Sequence, residues 1–237
     1  MTTARALATV LLVTAAAAAM LPIGMVTLFR ARRLYAAMAK VLSRTILALY
    51  GVKVNVIGGP FPRTQTVYVS NHTSSLDLFV LVALGLPNTR FFLSGFLRKV
   101  VPLGVIAWMM GTFFTVPQAF PERRRKIFRR ACDELRRTGE SVYLSPEGGR
   151  ITTGDIGTFN KGAFHLATVL GAPIVPMYFR IPREMDPGRG YAAKPGTVHV
   201  HVLPAIETST WNESNVVDNK ERVRALFVRT HEELRCA

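Results

Sequence analysis

Residues 66–86 read TVYVSNHTSSLDLFVLVALGL, and the fold class turns on how that stretch divides. TVYVS (66–70) is short, apolar and rich in β-branched residues, the pattern of a buried strand. DLFVLVALGL (77–86) is an apolar run of helix length, stopped by Pro87. Between them lies a polar loop, Asn71-His72-Thr73-Ser74-Ser75-Leu76. His72 falls just past the strand and Asp77 in the first turn of the helix. In one continuous helix, positions five apart lie about 140° apart, so the two side chains meet only if the loop folds His72 back over that turn. Asp77 would then accept the Nδ1–H bond, fix the tautomer and leave Nε2 as a base. The same letters fit a helix start of the capping-box kind, with Ser74 as N-cap and Asp77 as the N3 acid, favoured by the helix dipole. The stretch by itself leaves both readings open.

Working outward, the strand-then-helix pattern repeats. VKVNVIG (52–58), SVYLS (141–145), PIVPMYF (173–179) and GTVHVHVL (196–203) read as strands. ERRRKIFRRACDELRRTG (122–139), KGAFHLATVLG (161–171) and NVVDNKERVRALFVRTHEEL (215–234) read as helices, the first two with glycine stops. Residues 90–116 are apolar with glycine and proline breaks. They read either as two short elements or as a membrane-contacting segment, and as a candidate wall for a bound apolar chain. The alternation predicts an α/β fold with a central, largely parallel or mixed sheet flanked by helices.

The N-terminus carries a different signal. Residues 6–29, ALATVLLVTAAAAAMLPIGMVTLF, hold no charge and are long enough to cross a hydrocarbon core of roughly 30 Å as a helix. A cleaved signal peptide is the alternative. Arg30, Arg32 and Arg33 follow, and the positive-inside rule then places the remainder in the cytoplasm, on an inner (cytoplasmic) membrane. Residues 30–51 form a basic amphipathic helix, suited to the membrane interface or to packing on the domain. The first segment either spans or is re-entrant, pairing with the second as a hairpin. The expected organisation is an anchoring segment, 1–50, and one globular domain, 51–237.

The chain has 237 residues and a formal net charge of +15, and its mean hydropathy is +0.23. That charge calls for an anionic partner: lipid headgroups, phosphate-bearing substrates or nucleic acid. No nucleic-acid-binding motif accompanies it. Cys132 and Cys236 are far apart and lack metal-ligand spacing, so neither a disulfide framework nor a zinc site is expected. His199 and His201 lie two apart on a strand and face one way, but no third ligand joins them, and they read as structural. His165 reads as a helix-packing residue.

A second polar stretch alters the weight given to the first. In LSPEGGR (144–150), Glu147, Gly148, Gly149 and Arg150 follow a strand directly. Glycines let the backbone approach a ligand, an arginine fork suits phosphate or carboxylate, and Lys161 opens the next helix near an anion-friendly terminus. A plain surface turn with a Glu–Arg ion pair is the alternative.

Taken in order, Asn71-His72-x-x-x-x-Asp77, Pro146-Glu147-Gly148-x-Arg150, Phe159-x-Lys161-Gly162-Ala163-Phe164 and Pro173-Ile174-Val175-Pro176 resemble the membrane-associated lysophospholipid acyltransferases. That superfamily includes the bacterial 1-acyl-glycerol-3-phosphate acyltransferases. The resemblance covers roughly residues 52–203. It implies phospholipid biosynthesis: transfer of an acyl group from acyl-CoA or acyl-carrier protein to a hydroxyl of a lysophospholipid. It further implies His72 as general base, Asp77 as its orienting group, Glu147, Gly148, Gly149, Arg150 and Lys161 on the acceptor side, Val175 and Pro176 on the donor side, membrane lipids as partners, and no metal or other cofactor. The chain departs from the family pattern where a threonine is replaced by Gly149 and a serine by Ile151. The arginine that ends the family's second block has Val116 or Pro117 in its place, and the Lys-x-Glu-Leu opening of that block is absent. Arg123, Arg124 and Arg125 are candidates to compensate. Otherwise the acceptor is another lysolipid, such as a lyso-aminolipid or glycolipid. A non-catalytic lipid- or nucleic-acid-binding module is the rival class.

Overall fold

The computed structural model describes residues 2–186 and 193–236, the side chains of Thr2 and Cys236 excepted. In chain order, helices α1 (Thr2–Val26) and α2 (Arg32–Leu49) precede strands β1 (Val52–Gly58) and β2 (Val67–Ser70). Then come α3 (Asp77–Leu84), β3 (Thr89–Ser94), a 3-10 turn (Gly95–Lys99), α4 (Val101–Met109) and β4 (Phe113–Thr115). Next are α5 (Pro121–Thr138), β5 (Ser141–Leu144), α6 (Gly162–Leu170), β6 (Ile174–Arg180), β7 (Gly196–Val202) and α7 (Val216–Cys236). The apolar stretch 90–116, which sequence left as two short elements or a membrane contact, thus holds two strands, a 3-10 turn and a helix.

The strands form one sheet of order β1-β7-β6-β2-β5-β3-β4. From β6 to β4 neighbouring strands run parallel. β7 is antiparallel to β6, and β1 is parallel to β7. The fold is therefore α/β with a mixed sheet, parallel where the loops of interest lie. Alternation of side chains along each strand divides the interior into two cores. One joins Tyr68, Phe91, Tyr143 and Val175 of the sheet to α1–α4. The other joins Val67, Val69, Val142 and Leu144 to α5, α6 and α7. The molecule is three layers thick, with α1–α4 on one side of the sheet and α5–α7 on the other.

Helices α1 and α2 form an antiparallel hairpin, closed at its open end by Thr9 Oγ1 and Tyr50 OH 3.5 Å apart. Val13, Ala17 and Met20 of α1 are buried with Tyr35, Ile46 and Leu47 of α2 in the same core as Leu81 and Phe91. The outer face of α1 keeps Leu7, Val10, Leu11, Leu21 and Met25 in the open. Residues 3–26 are long and apolar enough to cross a membrane by length and composition. At the opposite end of α2, Arg32 and Arg90 reach Glu134 and Glu140 at 3.4–3.8 Å, tying the hairpin to β3, α5 and the turn before β5.

Candidate active site

The parallel strands β2 and β5 end side by side, and the loops leaving their carboxyl ends build the site, as expected for an open α/β sheet. Ser70, the last residue of β2, hydrogen-bonds Tyr143 OH on β5 at 2.8 Å. Burial pushes the Tyr143 phenol above its ordinary value, so it stays a neutral bonding partner. Asn71 follows, buried, and clamps β6: its Nδ2 donates to the Phe179 carbonyl at 3.0 Å and its Oδ1 accepts from the Phe179 amide at 2.7 Å. The chain is thus held on both sides before it reaches His72.

His72 folds back over the start of α3. Its Nδ1–H donates to Asp77 Oδ2 at 2.6 Å. The His72 side chain is 32% exposed and that of Asp77 only 4%. The same Oδ2 accepts the amides of Thr73 at 2.8 Å and Ser74 at 2.9 Å. Ser74 Oγ accepts from the Leu76 amide at 2.9 Å and donates to Asp186. The capping-box expectation is corrected in part: α3 begins at Asp77 with Leu76 as its N-cap residue and no side-chain cap, so Ser74 is not the N-cap, but Asp77 does accept the Ser74 amide. Asp77 holds the loop that enters α3 through the Thr73 and Ser74 amides and orients the imidazole through the same oxygen. With Nδ1 engaged, Nε2 is the ring nitrogen available to a substrate.

The loop after β5 closes on this pair through its backbone. Glu147 is buried, and its Oε2 accepts the His72 amide at 2.6 Å while its Oε1 accepts the Gly157 amide at 2.8 Å. The Ile151 amide donates to the His72 carbonyl at 2.8 Å. Both sides of the His72 residue are therefore pinned by residues about 75 positions downstream. Burial raises the Glu147 pKa, opposed by the amides of Gly157 and His72. Asn160 Nδ2 holds the Pro146 and Glu147 carbonyls at 3.0 and 3.1 Å, and Gln118 Nε2 holds Asn160 Oδ1 at 3.1 Å.

These contacts place the residues the sequence singled out. Glu147, expected on the acceptor side, accepts one backbone amide on each oxygen and so joins the His72 loop to its own. Gly148 adopts φ +69°, and a Cβ there would stand 2.6 Å from Asn160 Nδ2, so the turn requires glycine. Gly149 faces open space. Arg150 is exposed beside Ile151, at the site's rim. Lys161 is the exposed N-cap of α6, next to Asn160. Val175 and Pro176 are buried mid-strand in β6, opposite Tyr68 and Val69 of β2. Neither exposes surface in this structure.

Elsewhere, His199 Nδ1 lies 3.3 Å from Asn55 Nδ2, and Tyr178 OH lies 2.7 Å from His231 Nδ1. Among the described residues no three His, Cys, Asp or Glu side chains gather into a group that could hold a metal. His165 is exposed on α6 rather than packed. Sequence reading assigned no role to Asn71, Tyr143, Gly157, Asn160 or Asp186. Asn71 stands inside the quoted block and could have been flagged. The Ser74–Asp186 pair spans 112 positions and left no local signal.

A slot of about 30 Å³ lies between α2, α3, α4 and β3, lined by Leu78, Phe79, Val82, Leu93, Leu103 and Ile106 among others. Leu78, part of its lining, directly follows Asp77.

Comparison with known proteins agrees with this geometry. The crystal structure of the 1-acyl-sn-glycerophosphate acyltransferase from Thermotoga maritima superposes with a TM-score of 0.75 at 21% identity, over 100% of this chain and 99% of that one, and so shares its fold. A chloroplastic 1-acyl-sn-glycerol-3-phosphate acyltransferase of Brassica napus is 40% identical over 119 residues, half of this chain and 33% of the relative. The human 1-acyl-sn-glycerol-3-phosphate acyltransferase alpha is 30% identical over 186 residues, covering 74% of this chain and 62% of the relative. The chain thus spans about a third of the plant relative's length and under two thirds of the human one's. The family model described as Acyltransferase matches residues 53–180, more than half of the chain and the whole of the His72–Glu147 site, and the chain belongs to that family.

Proposed function

We propose that this protein is a membrane-associated O-acyltransferase that moves a fatty acyl group from a thioester donor, acyl-CoA or acyl-carrier protein, to a hydroxyl of a lysophospholipid of the 1-acyl-sn-glycerol-3-phosphate type. The observation that carries the reading is the 2.6 Å bond from His72 Nδ1 to a buried Asp77, set at the carboxyl edge of the sheet with the imidazole partly exposed. A thioester is already activated, so the protein needs a base and a fixed acceptor. His72 Nε2 takes the acceptor's hydroxyl proton as the oxygen attacks the thioester carbonyl, and returns a proton to the departing thiolate. Asp77 stabilises the imidazolium formed between those steps. General-base assistance of this kind contributes roughly 10²–10⁴-fold, and a held acceptor adds the advantage of proximity.

Arg150 and Lys161 supply cations on one side of the site for an acceptor phosphate. Arg124 supplies one on the other: it is half-buried on α5, and its guanidinium donates to the Val116 carbonyl at 3.0 Å, at the end of β4. That position supports Arg124 as the compensating member of its arginine run. The apolar slot, widened by side-chain movement, takes the acyl chain. The exposed apolar side of α1 seats the molecule on the membrane and brings the site to its lipid substrate. The test is transfer of labelled acyl groups from each donor to a panel of lysolipids. Wild-type protein acylates lysophosphatidic acid and the His72→Ala variant does not. Undiminished transfer by that variant would sink the base assignment, and a preference for an uncharged acceptor would sink the phosphate reading.

A further inference from the structure

The two outer layers of the molecule have opposite surfaces. Of its large exposed apolar side chains, most lie on α1, α2, the 3-10 turn and α4, including Leu7, Val10, Leu11, Phe96, Val101 and Trp108. Helix α5 carries none. It lies in the other layer, its buried residues Ala131, Cys132 and Leu135 packed in the second core. Its outer surface presents Arg123, Lys126, Arg129 and Arg130, all exposed. Spacings of three and four residues put these cations on one side of the helix. None of the four forms an ion pair within 4.0 Å among the described residues, whereas their neighbours Arg125 and Arg137 pair with Glu122 and Glu134. Like charges at these spacings repel and weaken a helix, so the stripe is held together by packing beneath it and is left for something anionic.

We propose that this face of α5 docks a small acidic protein, the acyl-carrier protein that presents the donor thioester; the proposal rests on the acyltransferase reading above. A lipid surface is the wrong occupant, because the sheet stands between α5 and the apolar side of the hairpin. A second copy is the wrong occupant, because each chain carries a formal charge of +15. The stripe runs roughly 10 Å along the helix axis at 1.5 Å per residue, long enough for several carboxylates on a partner helix rather than one phosphate. It also lies within reach of the chemistry for a thioester on a flexible arm. α5 begins directly after the loop that leaves β4, and Gln118 of that loop holds Asn160, which holds the Glu147 carbonyl, while the Glu147 side chain holds the His72 amide. Complementary charge of this kind chiefly speeds encounter and selects the partner.

The experiment uses full-length protein in lipid nanodiscs and the variants Lys126→Glu/Arg129→Glu/Arg130→Glu and Lys126→Gln/Arg129→Gln/Arg130→Gln. Acyl-carrier protein is titrated directly, and transfer is measured separately with acyl-carrier protein and acyl-CoA as donors. Wild-type protein binds the carrier in a salt-sensitive way. The glutamate variant binds roughly tenfold or more weakly, the glutamine variant falls between, and both keep acyl-CoA turnover within twofold, which shows that they fold. No carrier binding by wild-type protein, equal loss with both donors, or binding of a random DNA duplex or anionic vesicles that depends on the stripe as strongly as carrier binding does would overturn the docking proposal. Failure of wild-type transfer from both donors would count against the acyltransferase reading instead, and the binding titration would still decide the docking question.

Discussion

Replacing Glu147 by Gln separates a brace from a ligand. In the protein one carboxylate accepts the amides of His72 at 2.6 Å and Gly157 at 2.8 Å. Glutamine offers one acceptor and one donor, so one amide keeps a neutral partner and the other faces an N–H. A hydrogen bond to a charged group is worth about 1.5–3 kcal/mol and a neutral one about 0.5–1.5 kcal/mol. Losing one bond and weakening the other costs about 3 kcal/mol, and relief from burying a charge returns about a third of it. A net loss of about 2 kcal/mol lowers the thermal midpoint of a chain this size by roughly 4–8 °C. The His72 loop loosens with it, so kcat falls while the acceptor KM stays within about twofold. The pH dependence supplies a second readout. Burial raises the Glu147 pKa above its ordinary 4.5. The folded state then holds that proton more tightly than the unfolded state does. The stability it contributes is complete below 4.5 and is lost as pH rises through the folded value. That segment of the stability curve flattens in Glu147→Gln. The measurements are thermal unfolding from pH 4 to 8 and steady-state transfer. A raised acceptor KM with unchanged kcat and midpoint would show that Glu147 binds acceptor, and would refute the brace.

Asp77→Asn should lower kcat by at least about 10²-fold and the thermal midpoint as well, since Asp77 serves the Thr73 and Ser74 amides in addition to His72; His72→Ala should lower only kcat, and parallel behaviour in unfolding scans would deny Asp77 its double role. Arg150→Ala should raise the acceptor KM well above any change in the donor KM, and equal changes would remove Arg150 from the headgroup site. Ala107→Phe, which fills the slot beneath α4, should shift donor preference toward shorter chains in a chain-length series. Leu7→Glu with Leu11→Glu, both on the exposed side of α1, should weaken vesicle flotation without moving the thermal midpoint.

How much of the fold was legible depended on how local the cause was. The strand, loop and helix at 66–86 could be read because period and breaker residues decide them within ten positions. Residues 90–116 could not, because an apolar run without period fits a strand, a helix or a membrane contact equally. What resolves it is tertiary: Phe92, Leu93 and Ser94 pair with Phe113, Phe114 and Thr115 across the intervening turn and α4. The N-terminal hairpin was ambiguous for a related reason. Val13, Ala17 and Met20 bury against α2 and α4, while Leu7, Val10 and Leu11 stay exposed, and a helix apolar all round conceals which side is which.

The site shows the same division, with one lesson about motifs. His72 and Asp77 were legible as a pair because their partnership spans five residues and the helix start constrains its geometry. Glu147 was legible as important and illegible as to role. A charged residue in a glycine-bearing loop after a strand reads as a ligand holder when its own environment is invisible. Burial changes that reading: once Glu147 is out of solvent, its oxygens must be satisfied within the protein, and the nearest donors are the amides of the loops it joins. The exposed cations near that segment are Arg150 at the rim and Lys161 beyond Asn160, and the proposed reading gives them the acceptor phosphate. On the proposed reading, the acceptor side rests on cations of these loops and of α5, and the base rests on a buried carboxylate network that the loops close. A change of acceptor during evolution would alter Arg150, Lys161 and Arg124 while leaving His72, Asp77 and Glu147 alone. On that reading the His–Asp pair stays intact while the chain departs from the pattern it resembles at Val116 or Pro117, at Gly149 and at Ile151.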